Sequence, residues 1–413
     1  MKKFLSILLA AMMLVAFAAP AMAEETVDIK IATWTSNADQ LKLLGSFVDE
    51  FAAQKGIKIN YTFESIDFGE YNTKLLFELQ GNEAPDAYWV QETSATAFIA
   101  SGNLAPLNDA LTAYNPADLS EAAMGLWKGG DTVYAVPFST SPFVLLYNAD
   151  LFEQAGVKTP DELIAEGTWN WETFRAICKE IKDKTGVWAY QTVDGDGYNT
   201  RVLHNLLPMI RANGGDAWDE NYEVKIDSEE SIAAVQLFHD MVYVDGSVVP
   251  PGDESSFYTG AAAMTVGQIS RVSNLDEVTW KWGLSTLPGN VPVIGQAALG
   301  ANAKGKNVEL ASELVAYMTS ESCAARIAGI WPPCRYSVLE SEAFLTSNAR
   351  IAPEQMSSAV AASIGTGRVL PSHQLYPQIE VEAKMAYDKL WNADADVASI
   401  MKEVANVYRT YLQ

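Results

Sequence analysis

The sequence offers few residues whose types and spacing fit a catalytic or metal-binding site. Its histidines are His204, His239 and His373, and none has a partner at the spacing of metal ligands. The motifs G-x-S-x-G, H-E-x-x-H and the P-loop are absent from the sequence. The stretch 194–199 (DGDGYN) begins like a calcium loop, but Asn205 stands where the bidentate glutamate belongs, which indicates a polar turn. We therefore predict no metal and no cofactor.

A secreted glycan hydrolase is one alternative that the residues leave open. A glycosidase needs only two carboxylates at a suitable separation. The chain has 52 acidic residues, and their spacing in the sequence does not select a pair. We predict a binding protein that is not an enzyme, with the hydrolase as an alternative.

Aromatic side chains point to the binding of a small polar ligand. The sequence contains 11 Trp and 17 Tyr, side chains that combine a flat apolar face with a hydrogen-bonding edge. A pyranose ring has an apolar C–H face that such rings can cover. Its hydroxyl groups can bond to Glu, Asn and Gln side chains. This composition favours a carbohydrate ligand.

The elements that position these residues follow an alternating β-α pattern. Residues 27–31 alternate as a strand, residues 41–51 carry an apolar helical stripe that ends at Gly56, and residues 57–63 alternate again. This pattern predicts a parallel sheet with right-handed crossovers, and residues 85–90 form its third strand. Because ligands of open α/β sheets lie beyond the carboxyl ends of strands, residues 34–36 and 89–92 are candidate ligand contacts.

The middle and the C-terminal part of the chain are predicted to be mainly helical. Asn148 and Asn170 are expected N-caps, and Asp227, with Glu230 three residues later, is expected to begin another helix. Apolar stripes at 310–318 and 397–408 predict two further helices. The sequence has no repeat and no low-complexity linker, so we expect the chain to cross between two lobes more than once.

The first 23 residues have the pattern of a secretory signal peptide. Lys2 and Lys3 precede an apolar run from residue 4 to 17, and an A-x-A site follows at 21–23. The run is shorter than the about 20 residues that span a bilayer. No cysteine lies near the cleavage site, so we expect no lipid anchor. We predict a periplasmic or extracellular protein whose mature chain does not insert into a membrane.

Length and charge limit the architecture and the partners. A chain of 413 residues exceeds what one core usually supports, which predicts two domains or lobes. The formal net charge of −24 argues against nucleic acid and anionic lipid as partners, because both require clustered Lys and Arg. Of the three cysteines, Cys323 and Cys334 could pair in an oxidising compartment. Cys178 lies on an apolar helical stripe and is expected to be a buried thiol.

Several segments occur in the order and spacing of a known family. They are APDAYWV at 84–90 with SGNLAPL at 101–107, YAVPF at 134–138 with YNADLF at 147–152, WNWETF at 169–174, GG at 214–215, FYTGAAAM at 257–264 with Gly267, and LPG at 287–289. Together they resemble the extracellular solute-binding proteins of ABC transporters, in the sugar-binding family that includes maltose-binding protein. The chain departs from the family at Gln268, where many members have an aromatic residue, and at 330–334 (IWPPC). These departures bear on the ligand.

The resemblance implies an α/β fold of the type II periplasmic-binding-protein class, with two lobes, several hinge crossings and a ligand cleft between the lobes. It places lobe 1 at 24–138 and 287–333 and lobe 2 at 139–286 and 334–413. Residues 137–142 (PFSTSP) would form the first crossing, with hydroxyl groups at the floor of the cleft. The implied protein is a monomeric receptor that delivers a mono- or oligosaccharide to ABC permease subunits. A non-sugar solute, such as a polyamine or a glycerol phosphate, is the alternative ligand.

Strand ends and family position together give the candidate ligand-binding residues. They are Trp34, Thr35, Ser36, Tyr71, Trp89, Glu92, Ser139, Thr140, Trp188, Asn199, Gln268, Trp331, His373 and Tyr376.

Overall fold

The computed structural model describes residues 26–81 and 84–413. The predicted signal peptide at 1–23 lies outside the described residues. The strands are β1 (Thr26–Thr33), β2 (Lys58–Ser65), β3 (Ala87–Gln91), β4 (Lys128–Gly129), β5 (Thr132–Val133), β6 (Val136–Pro142), β7 (Val144–Asn148), β8 (Trp188–Gln191), β9 (Ala262–Gly267), β10 (Trp282–Ser285), β11 (Val293–Ala301) and β12 (Arg368–Val369).

The helices up to the middle of the chain are α1 (Ala38–Lys55), α2 (Tyr71–Leu79), α3 (Ala95–Ala100), α4 (Asn108–Leu111), α5 (Glu121–Met124), α6 (Ala149–Ala155), α7 (Pro160–Ala165), α8 (Trp171–Thr185), α9 (Val202–Ala212) and α10 (Glu229–Tyr243). The later helices are α11 (Val308–Met318), α12 (Glu321–Ile327), α13 (Tyr336–Leu339), α14 (Glu342–Leu345), α15 (Pro353–Gln355), α16 (Ala362–Thr366), α17 (Tyr376–Tyr387) and α18 (Val397–Tyr411). A π-helical turn spans Met356–Ala361.

The first sheet confirms the predicted β-α-β start. Its order is β12-β11-β3-β1-β2, with β6 also paired to β11, and β1 runs parallel to β2 and β3. Helix α1 begins at Asn37, whose side chain accepts hydrogen bonds from two backbone N–H groups, and ends at Gly56 with φ of 66°. The apolar stripe of α1 packs in the core of this sheet, where Phe47 and Phe51 are buried.

The second sheet has the order β10-β7-β9-β8 and is covered on both faces. Successive residues of β7 alternate between two core clusters: Leu145 and Tyr147 pack in one, and Val144 and Leu146 pack in the other. A strand that is buried on both faces is apolar throughout, which explains the continuous run that follows Pro142.

Strands β6 and β11 connect the two halves of the molecule. They pair antiparallel from Val136 opposite Leu299 to Pro142 opposite Ile294, with a register shift between Ala297 and Ala298. Along β6, Phe138 packs in the core of the first sheet, and Phe143, just after the strand, packs in a core of the second sheet. The chain thus passes between the cores along both strands, and we call them the hinge strands.

The core of the first sheet defines one lobe, and the two clusters on the second sheet define the other. The lobe boundaries given above stay a prediction. That division places Leu287 and Val293 in lobe 1, but both pack in a core cluster of the second sheet. Ala297 packs in the core of the first sheet.

Two local expectations differ from the structure, and a Cys323–Cys334 disulfide, which the sequence left open, is not formed. Ser228, not Asp227, is the N-cap of α10, because its hydroxyl accepts from the N–H of Ser231. Residues 136–142 form one continuous strand instead of a break between two strands. Cys323 and Cys334 are both free, buried thiols, and the Cys334 Sγ donates to the carbonyl oxygen of Pro137 at 3.0 Å. Within residues 26–81 and 84–413, no helix has the length and apolar character needed to cross a membrane.

Candidate functional site

A cavity of about 470 Å³ lies between the two lobes, with the hinge strands in its wall. Its lining comes from strand ends of lobe 1, from both hinge strands, and from the loops and helix starts of lobe 2. The lining residues are Trp34, Phe68, Gln91, Glu92, Thr93, Ser139, Phe143, Thr200, Arg201, His204, Gln268, Gly295, Gln296, Ala297, Leu370 and Glu380. Of the predicted contacts, the structure brings Trp34, Glu92, Ser139 and Gln268 to this cavity.

The aromatic wall of the cavity is formed by Trp34, one residue after β1. Its ring is partly exposed and packs edge-on against Tyr71 at 5.0 Å, against Trp89 at 4.7 Å and against Phe68 at 5.6 Å between ring centroids. These contacts hold the indole in one orientation, because edge-to-face packing is directional. A rigid ring beside an open cavity can stack on an apolar ligand surface with little loss of side-chain entropy.

Tyr71 and Trp89 support this wall from behind, and Trp331 packs against Trp89. Tyr71 is fully buried, and its hydroxyl donates to the carbonyl oxygen of Ala32 at 3.1 Å. Trp89 is 1% exposed and lies 5.4 Å from the ring of Trp331. None of the three lines the cavity. The direct contact of these three residues with ligand stays a prediction.

The hinge strands supply a polar floor. Ser139 is partly exposed on β6, whereas its neighbour Thr140 is fully buried and does not line the cavity. On β11, the side chain of Gln296 is held from both ends: its Oε1 accepts from Trp127 Nε1 at 2.9 Å, and its Nε2 donates to the carbonyl oxygen of Ala123 at 2.9 Å. This part of the floor is consequently fixed to lobe 1.

Glu92 lies at the junction of lobe 1 and the hinge. It follows β3, and its Oε2 accepts the backbone N–H of Gln296 on β11. Burial raises the pKa of Glu92 from 4.5 to about 7, while the hydrogen bond to Gln296 and the charge of Arg201 oppose the shift. Near neutral pH the carboxyl group therefore exchanges between a hydrogen-bond donor and an acceptor.

Arg201 and His204 form the wall on the side of lobe 2. The Arg201 Nη1 donates to His204 Nε2 at 3.1 Å, and the guanidinium lies 5.7 Å from the ring centroid of Phe143. Since arginine can only donate, His204 Nε2 must be the unprotonated acceptor. Burial, with a smaller effect of Arg201, lowers the pKa of His204 to about 3, so the imidazole is neutral at physiological pH.

A second cavity of about 290 Å³ adjoins the first on lobe 2. Its wall shares Thr200, His204, Leu370 and Glu380 with the first cavity. Two predicted contacts, Asn199 and Tyr376, line this second cavity: Asn199 is exposed, and Tyr376 is 2% exposed. Burial also raises the pKa of the Glu380 carboxyl group.

The remaining predicted contacts lie away from both cavities. Thr35 donates through its hydroxyl to Gln40 Oε1 at the start of α1, and Ser36 is exposed beside it. Trp188 is on β8, with the Lys182 ammonium 3.6 Å from its ring centroid. His373 packs against Tyr222, and its Nδ1 accepts the N–H of Leu375 at 3.1 Å.

Most of the cavity residues absent from the predicted set are of two kinds. Thr93, Thr200 and Arg201 flank Glu92 or Asn199 in the sequence, so extending those two candidates by a few residues would have found them, and Gln91 already lies in the predicted stretch 89–92. The segment 295–297 reaches the cavity through its pairing with β6, which is distant in sequence. No local signal marks such a position.

Within the described residues, no group of three or more His, Cys, Asp or Glu side chains is arranged to hold a metal ion. The cavity residues can instead stack on an apolar surface through Trp34 and exchange hydrogen bonds through Ser139, Gln268 and Glu92. They can also present one positive charge through Arg201. This is the chemistry of reversible binding of a small polar molecule.

Comparisons with known proteins identify the architecture. Residues 46–353 match the family model "Bacterial extracellular solute-binding protein". The chain is 24% identical over 314 residues to the arabinooligosaccharide-binding protein of Halalkalibacterium halodurans, which covers 70% of this chain and 67% of the relative.

Two solved structures share the fold over almost the whole chain. The cyclic alpha-maltosyl-1,6-maltose binding protein from Arthrobacter globiformis has 18% identity and a TM-score of 0.78 over 94% of this chain and 99% of its own. UgpB from Mycobacterium tuberculosis, in complex with glycerophosphocholine, has 19% identity and a TM-score of 0.73 over 94% and 98%. These likenesses establish a two-lobed solute-binding fold.

Proposed function

The chain belongs to the bacterial extracellular solute-binding protein family, and we propose that it is a carbohydrate receptor of an ABC importer. The carbohydrate binds in the cavity between the lobes, and the loaded receptor delivers it to the permease. The protein acts as a monomer in the periplasm or outside the cell and does not hydrolyse its ligand.

The observation that carries this proposal is the pairing of Trp34 with polar side chains across one interlobe cavity. Trp34 belongs to lobe 1, Ser139 to a hinge strand, and Gln268 to lobe 2. A sugar that stacks on the indole can reach the other two side chains with its hydroxyl groups. A ligand that touches both lobes favours the conformation in which they are close.

The names of the relatives support the same ligand class. The arabinooligosaccharide-binding protein and the cyclic maltosyl-maltose binding protein are both named for oligosaccharides. We infer contacts from Trp34, Glu92, Ser139 and Gln268 in the first cavity, with Asn199 and Tyr376 extending them in the second. We expect a dissociation constant of about 1 μM, or about −8 kcal/mol, which allows both capture and release.

Titration of intrinsic tryptophan fluorescence tests the proposal, because Trp34 lines the cavity. The purified mature chain is titrated with mono- and oligosaccharides, including arabinose and maltose oligomers, and with spermidine and glycerophosphocholine. We expect a saturable change with at least one saccharide and unchanged saccharide on chromatography afterwards. A response to spermidine or glycerophosphocholine with none to any saccharide contradicts the proposal. Release of reducing ends would instead support a hydrolase.

A further inference from the structure

We propose that the carbohydrate carries a carboxylate, as uronic acids do, and that the Arg201 guanidinium binds this group in the interlobe cavity. The inference rests on the proposed function and narrows its substrate class. Arg201 differs from all the other arginines of the chain in its ion pairs.

Every other arginine of the chain forms an ion pair with an Asp or Glu side chain. The pairs are Arg175–Asp245, Arg211–Asp216, Arg271–Asp194, Arg326–Glu50, Arg335–Asp118, Arg350–Asp276, Arg368–Asp216 and Arg409–Asp227. Among the residues that the structure describes, none forms such a pair with Arg201. In a chain with a net charge of −24, an arginine that lines a cavity and lacks a carboxylate partner is a specific exception.

Two neutral side chains, His204 and Phe143, contact the Arg201 side chain. Its one hydrogen bond to a side chain goes to the neutral His204, and the Phe143 ring lies beside the guanidinium. Both contacts restrict the orientation of the planar group and add no negative charge. Most of its N–H donors are thus left for a ligand, and a planar carboxylate can accept two of them at once.

The other ionisable groups of the cavity favour a monoanion. Glu92 and Glu380 line the cavity, and burial raises the pKa of both. The pKa of Glu92 rises to about 7, so its negative charge is reduced near neutral pH. A protonated carboxyl group can itself donate a hydrogen bond to a ligand carboxylate. Arg201 is the only cationic residue among the described residues of the cavity wall, and its single positive charge matches the single negative charge of one carboxylate.

Calorimetric titration with matched sugars tests this inference. The pairs are galacturonate oligomers against galactose oligomers of the same length, and xylo-oligosaccharides with and without a glucuronate branch. We expect the acidic member of a bound pair to bind at least tenfold more tightly, and this preference to decrease as NaCl is added. The variant Arg201→Gln should lose the preference, and Arg201→Lys should keep part of it, because a lysine ammonium cannot form the bidentate contact.

Arg271→Gln is the matched control, since Arg271 is exposed, is paired with Asp194 and lies outside the cavity wall. It should bind both members of each pair like the wild type, and thermal melting should show all variants folded. Three results would overturn the inference. One is equal affinity for acidic and neutral sugars, and another is an equal loss of affinity for both in Arg201→Gln. The third is tighter binding of glucose 6-phosphate than of glucuronate. Binding of neutral sugars alone would leave the proposed function intact. Silence towards every saccharide would instead refute the proposed function.

Discussion

Glu92 shows how the surroundings of one side chain decide its chemistry. Its position after a strand, at the start of a short helical turn, is also typical of a solvated carboxylate stabilised by a helix dipole. The structure instead places it against the hinge strand, where burial raises its pKa to about 7. Arg201, Glu380 and the neutral His204 are the other ionisable groups that line the same cavity.

We expect Glu92→Gln to change how stability depends on pH. In the unfolded chain Glu92 ionises near pH 4.5, and in the folded chain near pH 7. Ionisation therefore favours the unfolded chain as pH rises from 4.5 to 7, which lowers the free energy of unfolding by up to about 3 kcal/mol. Glu92→Gln cannot ionise at this position and does not lose this stability. The difference in free energy of unfolding between the variant and the wild type should therefore grow in favour of the variant from pH 4.5 to 7 and stay constant above pH 7. Urea unfolding at several pH values measures the free energy of unfolding of both proteins. If the two change with pH in parallel, the raised pKa of Glu92 is contradicted.

Two tryptophans from the predicted set allow a comparison between a residue that lines the cavity and one that lies away from it. Trp34 lines the cavity, whereas Trp188 lies on β8 beneath Lys182. We expect Trp34→Ala to weaken saccharide binding by about 10- to 100-fold, because loss of a stacking ring costs of the order of 1–3 kcal/mol. Trp188→Ala should leave the dissociation constant within twofold of the wild type. Calorimetry of both variants is the measurement, and equal losses in the two would speak against Trp34 as the stacking residue.

The sequence predicts site residues that directly follow strands and misses those that depend on the tertiary fold. Trp34 and Glu92 were found because the carboxyl ends of β1 and β3 meet at one edge of a sheet. Arg201 does not follow a strand, and its only local signal is that it lies two residues after the candidate Asn199. It reaches the cavity because α9 packs in lobe 2 opposite that edge. That no described carboxylate forms an ion pair with Arg201 can be seen only from the tertiary structure.

At the scale of elements, the alternation along β6 decides which hydroxyl groups a ligand can reach. Side chains of a strand point alternately to opposite faces, and Ser139 and Thr140 accordingly differ in exposure. Ser139 faces the cavity, whereas the buried Thr140 hydroxyl has no hydrogen-bond partner among the described residues.

We expect opposite effects from two conservative changes on this strand. Thr140→Val should leave ligand affinity unchanged and should not lower the free energy of unfolding, because it removes a buried hydroxyl without a partner. Ser139→Ala should weaken binding by about fivefold, the effect of one lost hydrogen bond of about 1 kcal/mol. Calorimetry and urea unfolding give the two quantities. A loss of affinity in Thr140→Val would show that the strand rotates when ligand binds.

Helices with a clear 3.6-residue spacing of apolar residues were predicted well. The segment 137–142 was predicted as a crossing between the lobes, and its strand conformation was not predicted. Helices α1, α8 and α18 have the expected stripes, and Gly56 after α1 and Asn170 before α8 are the expected caps. Strand β6 was expected to break at its prolines. It continues because it pairs only with β11, so the missing N–H of Pro137 can face away from the ladder.

At the scale of the molecule, the two lobes also meet outside the hinge strands. The Thr96 hydroxyl on α3 lies 2.8 Å from that of Ser372, in the loop between β12 and α17. Lobe 1 and lobe 2 are thus joined by this contact as well as by the hinge strands. A ligand between them adds to contacts that already join the two cores.

We therefore expect ligand to stabilise both lobes together. At a free saccharide concentration about 100 times the dissociation constant, the free energy of unfolding should rise by about 2.7 kcal/mol. Differential scanning calorimetry with and without saccharide measures the shift, and Trp34→Ala at the same concentration is the control. A shift confined to one of two separate transitions would mean that the ligand binds a single lobe.

The buried thiols make this chain convenient for distance measurements. Cys178, Cys323 and Cys334 are at most 2% exposed, and burial raises the pKa of each, that of Cys334 to about 12. Maleimide dyes react with accessible thiolates, so the native cysteines can stay in place while new ones are labelled. Phe77 on lobe 1 and Met385 on lobe 2 are 78% and 69% exposed. Cysteines at these two positions would carry a fluorescence energy-transfer pair that follows the movement of the lobes in single molecules.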